Sequence, residues 1–257
     1  MKKICLCILM AVLSFSILSC SGKKDSKKFI LGLDDSFPPL GFRDENNEVV
    51  GYDIDLAREV CKRIGKTLEC QPIDWSAKEQ ELNTGKIDCI WNGFTMTEER
   101  KAAMAFTKPY LNNAQVVVVR ADSGIKSLSD LWDKVVGVQA GSSAQDAIEG
   151  RPDFKSTLKS MVEFKENITA LNDLELGNID AVVMDQVVAN YSIKQTGKPF
   201  AVLDEGLAYE EYGIAFRKSD TALRVLVQST LEAMEKDGTV GRISEKWFGT
   251  NLSVIGN

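Results

Sequence analysis

The pattern Leu82-x-x-Gly85-x-Ile87-Asp88 recurs as Leu174-x-x-Gly177-x-Ile179-Asp180, and an apolar run follows each copy. Earlier in each half, Ile30-Leu31-Gly32-Leu33 is paralleled by Val135-Val136-Gly137-Val138. This repeat constrains the chain to build one unit twice: strand, polar loop, helix, and later helix, the LxxGxID turn and another strand. The expectation is two similar α/β lobes. The ends of matched strands would face one another across a cleft, where ligands bind in such sheets.

Local signals fill in the order. Residues 29–33 read as a short strand, and Pro38 and Pro39 then forbid a helix. Ile54, Ala57, Val60, Cys61 and Ile64 recur at helical spacing, with Gly65 as the stop. Residues 68–73 read as a strand ending at Asp74-Trp75, the tryptophan being either core or a stacking surface. A helix is expected over 78–83. Runs at 115–120, 135–139 and 179–184 read as buried strands and put the second lobe in the middle of the chain. The first lobe is then completed by the C-terminal helices. Asn167 is expected to cap a helix running to Leu176, and residues 212–216 to form one strand. Asp220 is expected to cap a long helix with Ala222, Val225, Leu226, and Thr230 or Ala233 on its inner face.

Residues 88–100 carry the first chemical signal. A short strand breaks at Asn92-Gly93 and enters a helix that Thr97 can cap. Backbone N–H groups at such a strand-to-helix loop favour an anion, and Arg100 adds a planar cation that grips a carboxylate with two parallel bonds. Gly141-Ser142-Ser143 opens a second helix in the same way, as an anion cradle or as simple N-capping.

Composition removes whole classes of function. With 44% hydrophobic and 26% charged residues the chain is globular, and a net charge of −6 offers no basic surface for nucleic acid. There is no histidine, which removes the hydrolase triads and the commonest transition-metal ligand. No metal or cofactor is expected. Lys2 and Lys3 precede an apolar run, residues 4–18, that is too short to span a bilayer as a helix. It ends Ile17-Leu18-Ser19-Cys20, similar to a bacterial lipobox. That likeness implies a signal peptide over 1–19, lipidation of Cys20 and a polar tether over 20–28. Removing residues 1–19 leaves 29 basic and 37 acidic side chains. Cys61, Cys70 and Cys89 remain, with Cys61 and Cys70 either a disulfide or free thiols.

Taken in order, several motifs resemble one family over residues 29–249. They include Gly51-Tyr52-Asp53-Ile54-Asp55-Leu56-Ala57, Thr95-Met96-Thr97-Glu98-Glu99-Arg100, Val136-Gly137-Val138-Gln139-Ala140-Gly141-Ser142-Ser143, Tyr212-Gly213-Ile214-Ala215-Phe216-Arg217-Lys218 and Glu245-Lys246-Trp247-Phe248-Gly249. The family is the polar-amino-acid receptors of bacterial ABC importers. The resemblance implies a two-lobed α/β fold of the type II periplasmic-binding kind, each lobe a mixed sheet flanked by helices, with two hinge crossovers near 111–113 and 207–211. Lobe 1 would comprise 29–111 and 212–257, and lobe 2 residues 112–211. It implies a monomer held to the membrane by its lipid, with an amino-acid ligand and a permease with ATPase subunits as partners.

Site roles follow from the same resemblance. Arg100 matches the arginine that pairs with the ligand α-carboxylate, Gly93 and Thr95 the loop beside it, and Ser142 and Ser143 the second lobe's carboxylate donors. Asp185 matches the aspartate that receives the α-ammonium. Phe37 and Trp75 match the aromatics that sandwich the ligand side chain. Asp34 and Asp53 match acids that reach cationic side chains, which points to arginine, lysine or ornithine. The sequence departs from those members at Trp91, Asn92, Gly93 and Ala144, changes expected at the pocket floor. Asn92 is compatible with glutamine or cystine as well. Two other readings use the same fold: a cleft dehydratase for aromatic acids, and a ligand-sensing domain that works with a separate partner.

Overall fold

The computed structural model describes residues 27–256. The expected leader, the lipidation site Cys20 and most of the tether lie outside the described residues. The chain opens with β1 (Lys28–Leu33) and a small meander of β2 (Ser36–Phe37), β3 (Gly41–Arg43) and β4 (Val49–Val50). Helix α1 (Tyr52–Arg63) follows, then β5 (Thr67–Pro72), α2 (Lys78–Asn83), β6 (Cys89–Ile90), α3 (Glu98–Ala103) and β7 (Ala105–Phe106). The middle of the chain forms β8 (Leu111–Arg120), β9 (Val135–Gln139), α4 (Ser143–Glu149), α5 (Pro152–Thr157) and β10 (Ser160–Phe164). It continues with α6 (Asn167–Leu176), β11 (Ala181–Asp185), α7 (Gln186–Thr196), β12 (Phe200–Val202) and β13 (Ala208–Tyr212). The end of the chain adds β14 (Ala215–Phe216), α8 (Thr221–Lys236) and α9 (Thr239–Phe248).

Besides the β2-β3-β4 meander, the described residues form two larger sheets, one per lobe. The first runs β5-β1-β6-β14-β7 and the second β10-β9-β11-β8-β12, with β13 also paired to β8. Both are mixed: β1 is parallel to β5 and β6, whereas β14 is antiparallel to β6 and β7. The valines of β8 explain why that strand shows no alternation. Val116 and Val118 enter one core cluster and Val117 and Val119 the other, so both faces are buried. Helix α1 ends as its sequence requires. Gly65 takes φ +70°, and the Lys66 N–H reaches back to the Cys61 carbonyl at 2.9 Å.

The repeat has a concrete structural meaning. In each half its aspartate accepts the N–H of the first strand: Asp88 from Ile30 at 2.8 Å and Asp180 from Val135 at 2.9 Å. In each half its isoleucine covers that strand's glycine. A Cβ on Gly32 would lie 2.5 Å from Ile87 Cδ1, and one on Gly137 2.7 Å from Ile179 Cδ1. An arginine completes each bracket. Arg217 donates to the carbonyls of Leu82 and Ile87 at 2.7 and 2.6 Å, and Arg120 to those of Leu174 and Ile179 at 2.9 and 3.4 Å.

Several expectations need correcting. The inner face of α8 is Val227, Thr230, Leu231 and Met234, with Leu223 packed beside it, whereas Val225 and Leu226 are half exposed. The stripe 223, 227, 230, 231, 234 satisfies helical spacing as well as the expected one does, and docking on the core selects it. The expected strand at 212–216 is broken at Gly213-Ile214. Tyr212 pairs with Leu111 in the second sheet and Ala215 with Ile90 in the first, so the chain changes sheets there. Helix α5 and the edge strand β10 were not anticipated. The residue that caps α6 is Glu166, with Asn167 already helical. The thiols of Cys61, Cys70 and Cys89 are free.

Candidate functional site

The loop after β6 is shaped by one glycine. Gly93 has φ +56°, and a Cβ there would meet Leu40 Cδ1 at 2.5 Å and Phe37 Cε1 at 3.0 Å. Its N–H points inward, donating to Asp53 Oδ2 at 2.8 Å, and the Tyr110 hydroxyl donates to the same oxygen at 2.9 Å. Asp53 is wholly buried, and burial pushes its carboxyl up to about 7. It supports the loop from behind and does not line the cleft, which corrects its expected role as a ligand acid.

From that loop α3 begins. Thr97 caps it, accepting from the Arg100 N–H at 3.2 Å. The Arg100 side chain turns back over the Phe94 ring, 4.6 Å from its centroid, and donates to the Thr95 carbonyl at 3.2 Å. It reaches the other lobe at the Gly141 carbonyl, 3.4 Å away, and at Asp146, 3.6 Å away. Burial is the main cause that lowers its pKa. A buried guanidinium facing one half-exposed carboxylate at 3.6 Å is a strong local demand for an anion.

The second lobe meets it through the start of α4. The Ser142 hydroxyl donates to the Gln139 carbonyl at 2.7 Å and accepts from the Gln145 N–H at 3.3 Å, so it serves as the helix cap. The Ser143 hydroxyl instead faces the cleft, 3.0 Å from that of Thr95. At the end of β11 Asp185 accepts from Asn113 at 2.7 Å, Gln115 at 2.9 Å and the Tyr212 hydroxyl at 2.5 Å. Burial first, then the Glu210 charge, pushes its carboxyl up to about 7. Asp34 closes another side of the cavity, taking Ser36 Oγ at 2.7 Å and, across the cleft, Gln139 Nε2 at 2.6 Å.

A tight cavity of about 10 Å³ therefore gathers Asp34, Phe37, Trp75, Asn92, Gly93, Thr95, Arg100, Ser142, Ser143 and Asp185 from 152 residues of sequence, together with Gln139. Trp75 meets both of its readings. It is 8% exposed, packs edge-on against Phe94 at 5.7 Å and lines the cavity. Two of the four departures do not lie on the cavity wall. Trp91 is fully buried beside Tyr110, and Ala144 lies in the second core. Sequence reasoning missed Gln139, Lys78, Asn113, Gln115 and Glu210. Lys78 is buried and bridges the lobes, donating to the Gly141 carbonyl at 2.8 Å. Its spacing on α2 carries no sign of this. Gln115, by contrast, is the polar residue directly before the run of four valines, which could have marked it.

The chain is similar to known proteins. The model of the bacterial extracellular solute-binding proteins, family 3, matches residues 29–250. The L-cystine-binding protein TcyJ of Escherichia coli is 30% identical over 247 residues, 95% of this chain and 91% of that one. The ABC transporter arginine-binding protein 1 of Escherichia coli is 32% identical over 254 residues, 96% and 99% of the two chains. A crystal structure of an ABC uptake transporter substrate-binding protein from Streptococcus pneumoniae with bound histidine superimposes with a TM-score of 0.87 at 37% identity, over 89% of this chain and 95% of that one. The two mixed-sheet lobes are thus those of a type II periplasmic-binding fold, and with a family match spanning both of them the chain belongs to family 3 of the bacterial extracellular solute-binding proteins.

Proposed function

We propose that this chain is the extracytoplasmic receptor of an ABC importer for a free amino acid, most favourably a cationic one such as arginine, lysine or ornithine. One observation carries the reading: Arg100 and Asp185 line one cavity with the Thr95–Ser143 contact. A zwitterion needs an anion grip and a cation acceptor in one small space, and these side chains supply both. Asp34 supports the cationic preference, since its carboxylate is met by the neutral donors Ser36 and Gln139. Relatives named for arginine and histidine binding agree with it, and the cystine-binding relative favours a wider choice. In this reading Phe37 and Trp75 flank the ligand side chain, and the β8–β13 crossovers act as hinges between a lobe of residues 29–111 and 212–257 and a lobe of residues 112–211. The receptor is a monomer, anchored by lipid on Cys20 at the outer face of the cytoplasmic membrane, and hands its amino acid to a permease with ATPase subunits.

A thermal-shift panel of all the common amino acids with ornithine and cystine tests the reading. A ligand that binds the folded state alone raises its melting temperature. Cationic amino acids are expected to give the largest rise, and a win for neutral ones would sink that preference. Arg100→Ala is expected to abolish binding of every amino acid with the fold intact. Turnover of prephenate or arogenate by the wild-type chain would replace the receptor reading with a dehydratase.

A further inference from the structure

We propose that Glu210 is a ligand-binding residue: with Asp185 it forms a two-carboxylate seat for the ligand's ammonium group, and it closes the hinge-side mouth of the cavity against substituents on that nitrogen. The inference rests on the amino-acid reading of the cavity and deepens it.

Glu210 sits on β13, the strand that returns the chain towards the first lobe. Its Oε2 accepts from Thr95 Oγ1 at 2.9 Å, Gln115 Nε2 at 3.0 Å and Asn113 Nδ2 at 3.1 Å, with Ser143 Oγ at 3.5 Å. The same two amide groups donate to Asp185 Oδ1, at 2.7 and 2.9 Å. Two carboxylates are thus held together by two neutral amides. Like charges this close repel unless a cation lies between them. A second observation lies in the same cluster. Gln115 is fully buried, and its Oε1 has no hydrogen-bond partner. An ammonium carries three donors, and Asp185, Glu210 and this amide oxygen are three acceptors.

The position of Glu210 also fixes what can be attached to the ligand nitrogen. Beside the hinge lies an open cleft of about 670 Å³, whose wall includes Thr95, Ser143, Asn113 and Glu210. Thr95 and Ser143 line the inner cavity too. Glu210, bonded to both, stands at the shared wall between cavity and cleft. A group attached to the nitrogen has to leave past it. An acylated nitrogen has lost its charge as well, and meets two carboxylates with no cation to offer.

The test measures binding of L-arginine, Nα-acetyl-L-arginine and δ-guanidinovalerate by calorimetry, with L-glutamine and its Nα-acetyl and des-amino forms alongside. The proteins are wild type, Glu210→Gln and Glu210→Ala, each checked for an intact melting transition. Loss of a charge-assisted contact predicts about 10- to 100-fold weaker binding of the free amino acid to Glu210→Gln, with the des-amino analogue within about twofold of wild type. Glu210→Ala is expected to gain binding of the Nα-acetyl form. Equal weakening of amino acid and des-amino analogue in Glu210→Gln would reduce Glu210 to a structural residue and overturn the proposal. Unchanged binding in Glu210→Gln, while wild type binds amino acids, overturns it alone. A wild-type chain that binds no amino acid overturns it together with the reading beneath it.

Discussion

Asp53 and Asp185 are both buried acids whose carboxyls burial pushes up to about 7, yet they do different work. Asp53 Oδ1 has no hydrogen-bond partner, and Oδ2 holds the Gly93 loop. For both, the folded chain keeps a proton that an unfolded carboxyl, with its ordinary value of 3.8, has already released. Stability is therefore fully present below that ordinary value and is lost as pH rises towards 7. Each acid contributes a slope on the order of 1 kcal/mol per pH unit across the window. Asp53→Asn is expected to remove about half of the two acids' combined slope in urea melts between these limits. Asp185 makes a second prediction, because an ammonium beside it favours its carboxylate. Binding should release a proton below pH 7, so affinity for a free amino acid should weaken by up to about tenfold per pH unit on acidification. Calorimetry in buffers of different ionisation enthalpy reads this directly, and Asp185→Asn should flatten the profile.

At the scale of elements, the LxxGxID turn is a clamp that fixes a helix end to the first strand of its lobe. Its glycine-covering isoleucine leaves no room for a side chain. A Cβ on Gly137 would lie 2.7 Å from Ile179 Cδ1 and 3.0 Å from Phe164 Cε2. Gly137→Ala is expected to cost about 1–3 kcal/mol of unfolding free energy through overpacking. Ile179→Val removes the offending Cδ1 and costs about 1 kcal/mol by itself. The double variant should therefore be more stable than the sum of the single losses, by urea denaturation. Strict additivity would mean that the two side chains do not compete for the same space. This clamp was legible as a repeat, because its geometry is local and its residue types are fixed. The inner face of α8 was not legible, because two stripes satisfy the same period and the packing partner, α1 with α9, decides between them.

Across the whole molecule, the lobes touch through Thr95 and Ser143, Asp34 and Gln139, and Lys78 and Gly141. All of these lie beside the cavity. A ligand held by both lobes favours this arrangement over one in which they part. Small-angle scattering is expected to show a smaller radius of gyration once the best amino acid of the panel is added, and no change for Arg100→Ala. A radius that does not respond in the wild type would show that binding and closure are uncoupled.

The sequence by itself determined the two α/β lobes, their order along the chain, and ten residues of the cavity wall, Asp34 and Asp185 among them. The lobes rest on periodicity and turn residues, which are written locally, and the wall residues on motifs that resemble one family. Only the tertiary structure decided that Asp53 lies behind the loop rather than in the cleft, that Trp91 belongs to the core, that Gln139 meets Asp34, and that Gln115 and Glu210 stand beside Ser143 and Asp185. The physical reason is the same in each case. A side chain's neighbours across a cleft come from distant segments, and burial, which sets its charge and its partners, exists only when those segments are packed together.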